Sequence, residues 1–294
     1  MPLISIVIPT YNHSIYLNKA LTSVINQTFE NWEVIVVDNY SSDDTSKIIN
    51  IHNDPRIRYI KNHNNGVIAN SRNNGIKFAK GEWIAFLDSD DWWKPEKLKT
   101  CVDFFNNQVD LIHHDLKIIS NKSHFFERRV FKSRQLKKPI LIDLLVNGNL
   151  ITNSSVVVRR KMLENIGLIN EDPKLIAAED YNSWLRISKL TDQFLYIPKK
   201  LGYYLIHDHN ISNKNMSIPT YYAAYEFLYK LNVKQRIKFD SRIKYTSGRH
   251  DYLLGEYLKA RKNLLFSLRH GRASIKIKSA IMLILGFLNK WIKN

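Results

Sequence analysis

The stretch Trp83–Trp93, WIAFLDSDDWW, carries the pattern that decides the fold. Trp83-Ile84-Ala85-Phe86-Leu87 is a short apolar run bounded by polar residues, which reads as a buried strand. It stops at Asp88-Ser89-Asp90-Asp91. These carboxylates are not placed for burial, because an unpaired ionised carboxylate is very costly to remove from water. At the carboxyl end of a buried strand they lie where open α/β sheets place their ligands. Hard oxygen donors clustered in this way suit Mg2+ or Mn2+, ions that share their shell with substrate phosphates. A solvated acidic turn fits the same residues. Asp91 would then cap a helix starting near Lys94-Pro95-Glu96, with Pro95 well placed near a helix start. The stretch alone leaves both readings open.

Upstream the same pattern repeats. Leu3–Ile8 is a continuous apolar strand, ended by Pro9-Thr10-Tyr11-Asn12. Tyr16–Thr28 carries Leu17, Ala20, Leu21, Val24 and Ile25 at helical spacing. Trp32–Val37 is a second buried strand, closed by Asp38-Asn39, and Ser41-Ser42-Asp43-Asp44 supplies N-cap chemistry for a helix over Thr45–Ile51. Ile57–Ile60 is a third strand. Gly66 breaks the polar run Asn62–Asn65, and Val67–Phe78 reads as a helix that Gly81 closes. Strand alternating with helix four times, each strand read as apolar throughout, predicts an α/β fold: a mostly parallel sheet with helices on both faces. Right-handed crossovers then bring Tyr11, Asp38 and Asp88–Asp90 to one sheet edge.

Downstream the regularity weakens. Leu98–Phe105 reads as a helix, with Cys101 on its apolar face. Strands are expected over Asp110–His114, Lys117–Ile119, Val156–Val158, Phe194–Ile197 and Gly202–Ile206. Helices are expected over Ile140–Val146, Lys161–Ile166 and Tyr181–Lys189, the last opened by Glu179-Asp180. Asn121–Lys138 is basic and loop-like. The polar run Asn210–Ser217 marks a boundary between an α/β domain, 1–215, and a helical region, 216–294.

The hydrophobic fraction of 44% supports a sizeable core, and the net charge of +17 attracts polyanions: nucleic acid, anionic lipid or phosphorylated substrates. The positive charge concentrates beyond Lys230. A lone cysteine excludes an intramolecular disulfide. Met1-Pro2-Leu3-Ile4 enters a strand pattern with no basic leader, so the expected location is cytoplasmic, or peripheral on the inner face of the cell membrane. Near the C-terminus, Ile277, Ile281, Ile284, Leu285, Leu288, Trp291 and Ile292 share one helical face, and Lys276, Lys290 and Lys293 fall on the other. The weakly polar-to-apolar run Ser279–Leu288 is far short of the ~20 residues that a span requires. A helix over 274–293 lying in a membrane interface, or packed on the body of the protein, fits this pattern.

In combination, Ile6–Asn12, Val36–Asn39, Asn65–Asn73 and Leu87–Asp91 resemble the inverting family-2 glycosyltransferases with the GT-A fold, and Glu179-Asp180 with Trp184-Leu185-Arg186 is similar to that family's later acidic motif. The resemblance covers about residues 3 to 215 and implies a nucleotide-sugar donor, more readily UDP- than GDP-linked, and Mn2+ or Mg2+. It implies donor contacts from Pro9, Thr10, Tyr11, Asp38, Arg72, Asp88 and Ser89, and metal contacts from Asp90, Asp88 and His207. Asp180 matches the general base, with Glu179 as the alternative; spacing alone favours ordinary acidity at a helix N-terminus for this pair. Leu205 departs from the arginine found there in many relatives, which puts one phosphate contact in doubt.

The residue types support these roles on independent grounds. Tyr11 offers a face for a base, and Asp38 an acceptor for an imide N–H or a ribose hydroxyl. Arg72 offers a charged fork for carboxylate or phosphate. The implied acceptor is a saccharide, polyprenyl-diphosphate-linked in surface polysaccharide synthesis. The basic C-terminal region then faces an anionic membrane surface, not nucleic acid. Two rivals remain. A non-catalytic polyanion binder gains nothing from carboxylates at its ligand edge. A nucleotidyltransferase calls for a glycine-rich loop after the first strand, and Pro9–His13 contains no glycine.

Overall fold

The computed structural model describes residues 3–120, 130–207 and 214–292, with side chains of the last segment described as far as residue 287. Contact density divides the chain into two compact units, Met1–Leu136 with Leu150–Asp208, and Lys137–Asn149 with His209–Asn294.

The first unit is built on a nine-stranded mixed sheet. Strands β1 (Ile4–Thr10), β2 (Trp32–Asp38), β3 (Ile57–Lys61) and β4 (Trp83–Phe86) are parallel, in the order β3-β2-β1-β4. Helices α1 (Ser14–Ile25), α2 (Thr45–His52) and α3 (Ile68–Phe78) connect them. The sheet continues with β8 (Val157–Arg159), antiparallel to β4, then β6 (Leu111–Ser120), β9 (Phe194–Ile206) and β5 (Trp92–Trp93), and β7 (Val130–Phe131) pairs with β6. The apolar runs of β1, β2 and β4 are buried, as strands covered on both faces require. Cys101, on α4 (Lys97–Val102), is fully buried in the same core, and α6 (Arg160–Asn165) follows β8 directly.

Several local expectations change, each for a physical reason. β1 runs through Pro9 to Thr10. The carbonyl of Val7 accepts from Leu87 on the β4 side, and Pro9 shares its parity, so the missing N–H faces beyond the end of β4, where no ladder bond is lost. Gly81 does not close α3, whose C-cap is Ala79. A Cβ at Gly81 would lie 2.6 Å from the backbone nitrogen of Ser5, so glycine is needed there for close approach to β1. The strands expected at 110–114 and 117–119 are one strand, as are those at 194–197 and 202–206. Both breaks fall at a register shift where His114 pairs with Ile197 and Asp115 with Lys200, skipping Pro198 and Lys199. Asn121–Lys138 is not all loop, since Val130–Phe131 is a strand; residues 121–129 lie outside the described residues. Half of the polar boundary Asn210–Ser217, residues 210–213, also lies outside them.

The second unit is helical: α5 (Ile140–Asn147), α8 (Ser217–Tyr225), α9 (Val233–Leu253), α10 (Tyr257–His270) and α11 (Ala273–Ile292). Asn232 opens α9 with a capping box to Gln235. The chain enters this unit before the sheet is finished. Helix α5 packs on α9, and Arg242 donates to the Leu145 carbonyl at 3.1 Å. A short helix within the expected 1–215 domain therefore groups with the C-terminal helices.

Candidate functional site

The parallel half of the sheet brings its strand ends to one edge. Thr10 pairs in register with Asp38, and Leu87 donates to Val7, so the segment Asp88–Asp91 continues beside the end of β1. Helix α3 lies against this edge. A Cβ at Gly75 would meet Val7 at 2.4 Å, so glycine lets α3 press onto β1. One turn earlier, on the same helical face, is Arg72.

Arg72 is buried and holds two protein carboxylates. Its Nη2 donates to Asp88 Oδ1 at 2.7 Å and its Nη1 to Glu179 Oε1 at 2.5 Å. The fork expected to meet a carboxylate or a phosphate thus joins the acidic segment after β4 to the start of α7 (Glu179–Ser188). Burial opposes the charge, but the two carboxylates outweigh it and hold the guanidinium ionised. The asparagines around it are structural. Asn62 donates to Asn70, Asn74 to Asn62, and Asn64 to Ser71, tying the β3–α3 loop to the helix. Asn73 donates to Ile169 and Glu171, anchoring the segment that leads to α7.

Breaking a buried ion pair from one side typically costs about 3–5 kcal/mol. Arg72→Met is expected to lower the thermal midpoint by ~10 °C and to reduce turnover with it. An unchanged melting curve by circular dichroism would show that the clamp contributes nothing to the fold.

Within the acidic segment each residue has a different partner. Asp88 Oδ1 also accepts from Asn153 Nδ2 at 3.1 Å, and its backbone N–H donates to Ser154 Oγ. The Ser89 hydroxyl lies 2.9 Å from His13 Nδ1. Asp90 Oδ2 lies 2.9 Å from His207 Nε2. Burial and the neighbouring Asp88 push the Asp90 carboxyl up, and His207 and His13 partly offset this. Asp91 is buried and accepts from the backbone N–H of Leu205, so it fixes β9 to the segment; α4 starts later, with Glu96 as its N-cap. Burial and then the adjacent acids push the Asp91 carboxyl well above the usual range.

The other expected residues fall on the same edge. Pro9 and Thr10 are buried at the end of β1, and Tyr11 is 55% exposed. Asp38 is fully buried. Its Oδ1 accepts from the backbone and hydroxyl of Ser41 and its Oδ2 from the Tyr59 hydroxyl at 2.6 Å, so in this conformation it braces the edge. Ser41 in turn accepts from the backbone N–H of Asn12, beside Tyr11. Glu179 is locked by Arg72. Asp180 is half-buried, accepts from Tyr181 N at 2.6 Å, and has its carboxyl pushed up to about 7, first by burial and then by Glu179.

His13, Tyr16, Asn153 and Ser154 also belong to this region, and only His13 carries a local signal in the sequence. Tyr16 stacks on His207 with ring centroids 5.4 Å apart. His13 follows the first strand and could have been weighed as a polar group at the sheet edge. Asn153 and Ser154 could not, because nothing local places their short helical turn beside Asp88.

The donor set fits a divalent cation. Asp88 and Asp90 are partly exposed carboxylates, and His207 is an imidazole beside Asp90. Among the described residues no group of three or more such side chains could hold an ion alone. Mg2+ and Mn2+ in nucleotide chemistry use one or two protein carboxylates and complete the shell with phosphate and water.

A family model described as glycosyl transferase family 2 matches residues 5–167, more than half of the chain. The UDP-Glc:alpha-D-GlcNAc-diphosphoundecaprenol beta-1,3-glucosyltransferase WfaP of Escherichia coli is 33% identical over 187 residues, 64% of this chain and 70% of that protein. The fold is that of solved glycosyltransferases. The S. aureus TarS 1–349 complex with UDP superposes with a TM-score of 0.57 at 21% identity, covering 90% of this chain and 88% of that one. The mannosyltransferase PcManGT of Pyrobaculum calidifontis, in complex with GDP-Man and Mn2+, gives a TM-score of 0.63 at 14% identity, covering 97% and 81%.

Proposed function

Since the chain belongs to glycosyl transferase family 2, we propose that it moves one hexosyl or N-acetylhexosaminyl residue from a UDP-sugar to a saccharide hydroxyl with inversion at the anomeric carbon. The observation that carries this reading is the Arg72 clamp. It ties Asp88 of the acidic segment to Glu179, next to Asp180, so donor-side and acceptor-side acids share one rigid charge network.

Tyr11 presents its ring to the uracil, and Asp38, with Ser41 and Tyr59, holds the strand end beneath it. Asp90, Asp88 and His207 would hold Mn2+ or Mg2+. When bound, the ion supplies Lewis-acid neutralisation of the diphosphate leaving group. Pro9, Thr10 and Ser89 shape the donor edge. Asp180 takes the proton of the acceptor hydroxyl as that oxygen attacks the anomeric carbon. The bond to the diphosphate breaks on the opposite face, and the nucleoside diphosphate departs. A base with a carboxyl poised near 7 is well matched to this task at neutral pH.

The acceptor is a polyprenyl-diphosphate-linked sugar, of the kind that WfaP, a glucosyltransferase acting on alpha-D-GlcNAc-diphosphoundecaprenol, uses, and the product serves surface polysaccharide synthesis. The protein then works peripherally at the inner face of the cell membrane, and its positive charge serves anionic lipid, not nucleic acid. The sheet unit is the donor-binding and catalytic domain. The test is a panel of UDP-, GDP- and dTDP-sugars with Mn2+ and a synthetic N-acetylglucosaminyl-diphospho-lipid, with products read by mass spectrometry and anomeric NMR. A β-linked product from an α-linked UDP-sugar supports the reading. A retained anomer, or transfer from GDP- or dTDP-sugars alone, overturns it.

A further inference from the structure

Helix α11 has two apolar sides with different partners. Ile275, Ser279 and Gly286 are buried on the inner side. A Cβ at Gly286 would lie 3.3 Å from the Tyr257 ring and 3.4 Å from that of Tyr252, so this side packs at the junction of α9 and α10. On the outer side Ile277, Ile281, Ile284 and Leu285 recur at helical spacing and are 61%, 50%, 61% and 46% exposed. A helix packed on one side needs no second apolar stripe for its own fold.

The surroundings identify what covers the stripe. Lys278 borders it on one side and Lys276 and Phe287 lie toward the other, all exposed. Their geometry lets aliphatic stems lie along an apolar phase while the amines stay at its polar boundary. The α9–α10 turn, held to the same end of α11 by Tyr252 and Tyr257, exposes Leu253, Leu254 and Leu258. The acidic groups of that turn, Asp251 and Glu256, are both paired with Lys259. From residue 209 onward the chain has 17 lysines and arginines against 4 aspartates and glutamates. Among the described residues no helix is long and apolar enough to cross a membrane. A second copy of this chain is a poor occupant, because it would set equal positive charges against each other.

We propose that the outer face of α11, with the α9–α10 turn, docks the enzyme on an anionic bilayer, lying in the plane of the headgroups with its isoleucines in the acyl boundary. The proposal rests on the lipid-linked acceptor reading for its purpose and names the surface that brings the enzyme to that acceptor.

Flotation of the full chain with phosphatidylcholine vesicles, with and without phosphatidylglycerol, tests it at low and high salt. Binding is expected to the anionic vesicles, falling steeply with salt. Ile281→Glu with Ile284→Glu is expected to weaken it on the order of 100-fold. Lys276→Gln with Lys278→Gln is expected to weaken it about 25-fold, roughly fivefold per lysine. Both variants keep the wild-type melting curve and wild-type transfer to a soluble acceptor. Equal flotation of wild type and the isoleucine variant overturns the proposal. So does light scattering that shows a wild-type dimer, dispersed by these substitutions, with no vesicle binding. If the isoleucine variant does not fold, the lysine variant decides: unchanged affinity for anionic vesicles overturns the proposal. Vesicle binding without transfer to any lipid-linked acceptor would support docking and sink the acceptor reading instead.

Discussion

Asp180→Asn is expected to lower kcat by about 100-fold or more and to leave donor binding nearly unchanged, since asparagine keeps the shape but not the basicity. The pH profile identifies the cause. A base whose carboxyl is raised to about 7 makes wild-type kcat rise with pH through that region, and the variant loses this limb. Stability moves the other way. With a carboxyl raised from 3.8 to about 7, the folded state binds more protons than the unfolded chain between those values, so wild-type stability falls as pH rises across them. Asp180→Asn removes that loss, so a variant that is inactive yet at least as stable at neutral pH separates chemistry from collapse. Glu179→Gln acts differently, because Glu179 is bound to Arg72 and positions the network. An active Asp180→Asn beside an inactive Glu179→Gln would reverse the two roles.

Asp90→Ala is expected to cut turnover at least ~100-fold, through loss of charge stabilisation at the leaving diphosphate. Wild-type turnover should vanish in EDTA and return with Mn2+ or Mg2+. Burial and Asp88 raise the Asp90 carboxyl, so protons compete with the ion and the metal requirement should steepen as pH falls. Full activity in EDTA would remove the ion from the reaction. Undiminished turnover in Asp90→Ala, with EDTA still inhibitory, would move the ion to other residues.

Strand β4, its acidic end and the β-α alternation before it were all legible in the residues, because runs of apolar side chains report burial on both sheet faces directly. The same logic placed the ends of β1, β2 and β4 on one edge. It also found the outer stripe of α11, since helical periodicity is a local property. The long, irregular strands β6 and β9 were legible only in pieces, because Pro198-Lys199-Lys200 interrupts the apolar pattern of β9 and the polar His113-His114-Asp115 interrupts that of β6.

The chain alone determined where the four parallel strands lie, which edge carries the acids and which family the motifs match. The tertiary structure decided what those acids touch. Arg72 meets Asp88 from 16 residues away and Glu179 from 107, and no local pattern encodes such a pairing. Asp38 reads as an acceptor for a base or a ribose, and only the fold brings it the Tyr59 hydroxyl, 21 residues away, beside the nearby Ser41. Lys97 is fully buried, with its amine 3.5 Å from the Trp93 ring centre and its pKa pushed down to about 8 by burial. Periodicity records which side of an element faces the core. The partner that each buried charge finds depends on the path of the connecting loops and on the low dielectric they enclose, and these exist only once the chain is folded.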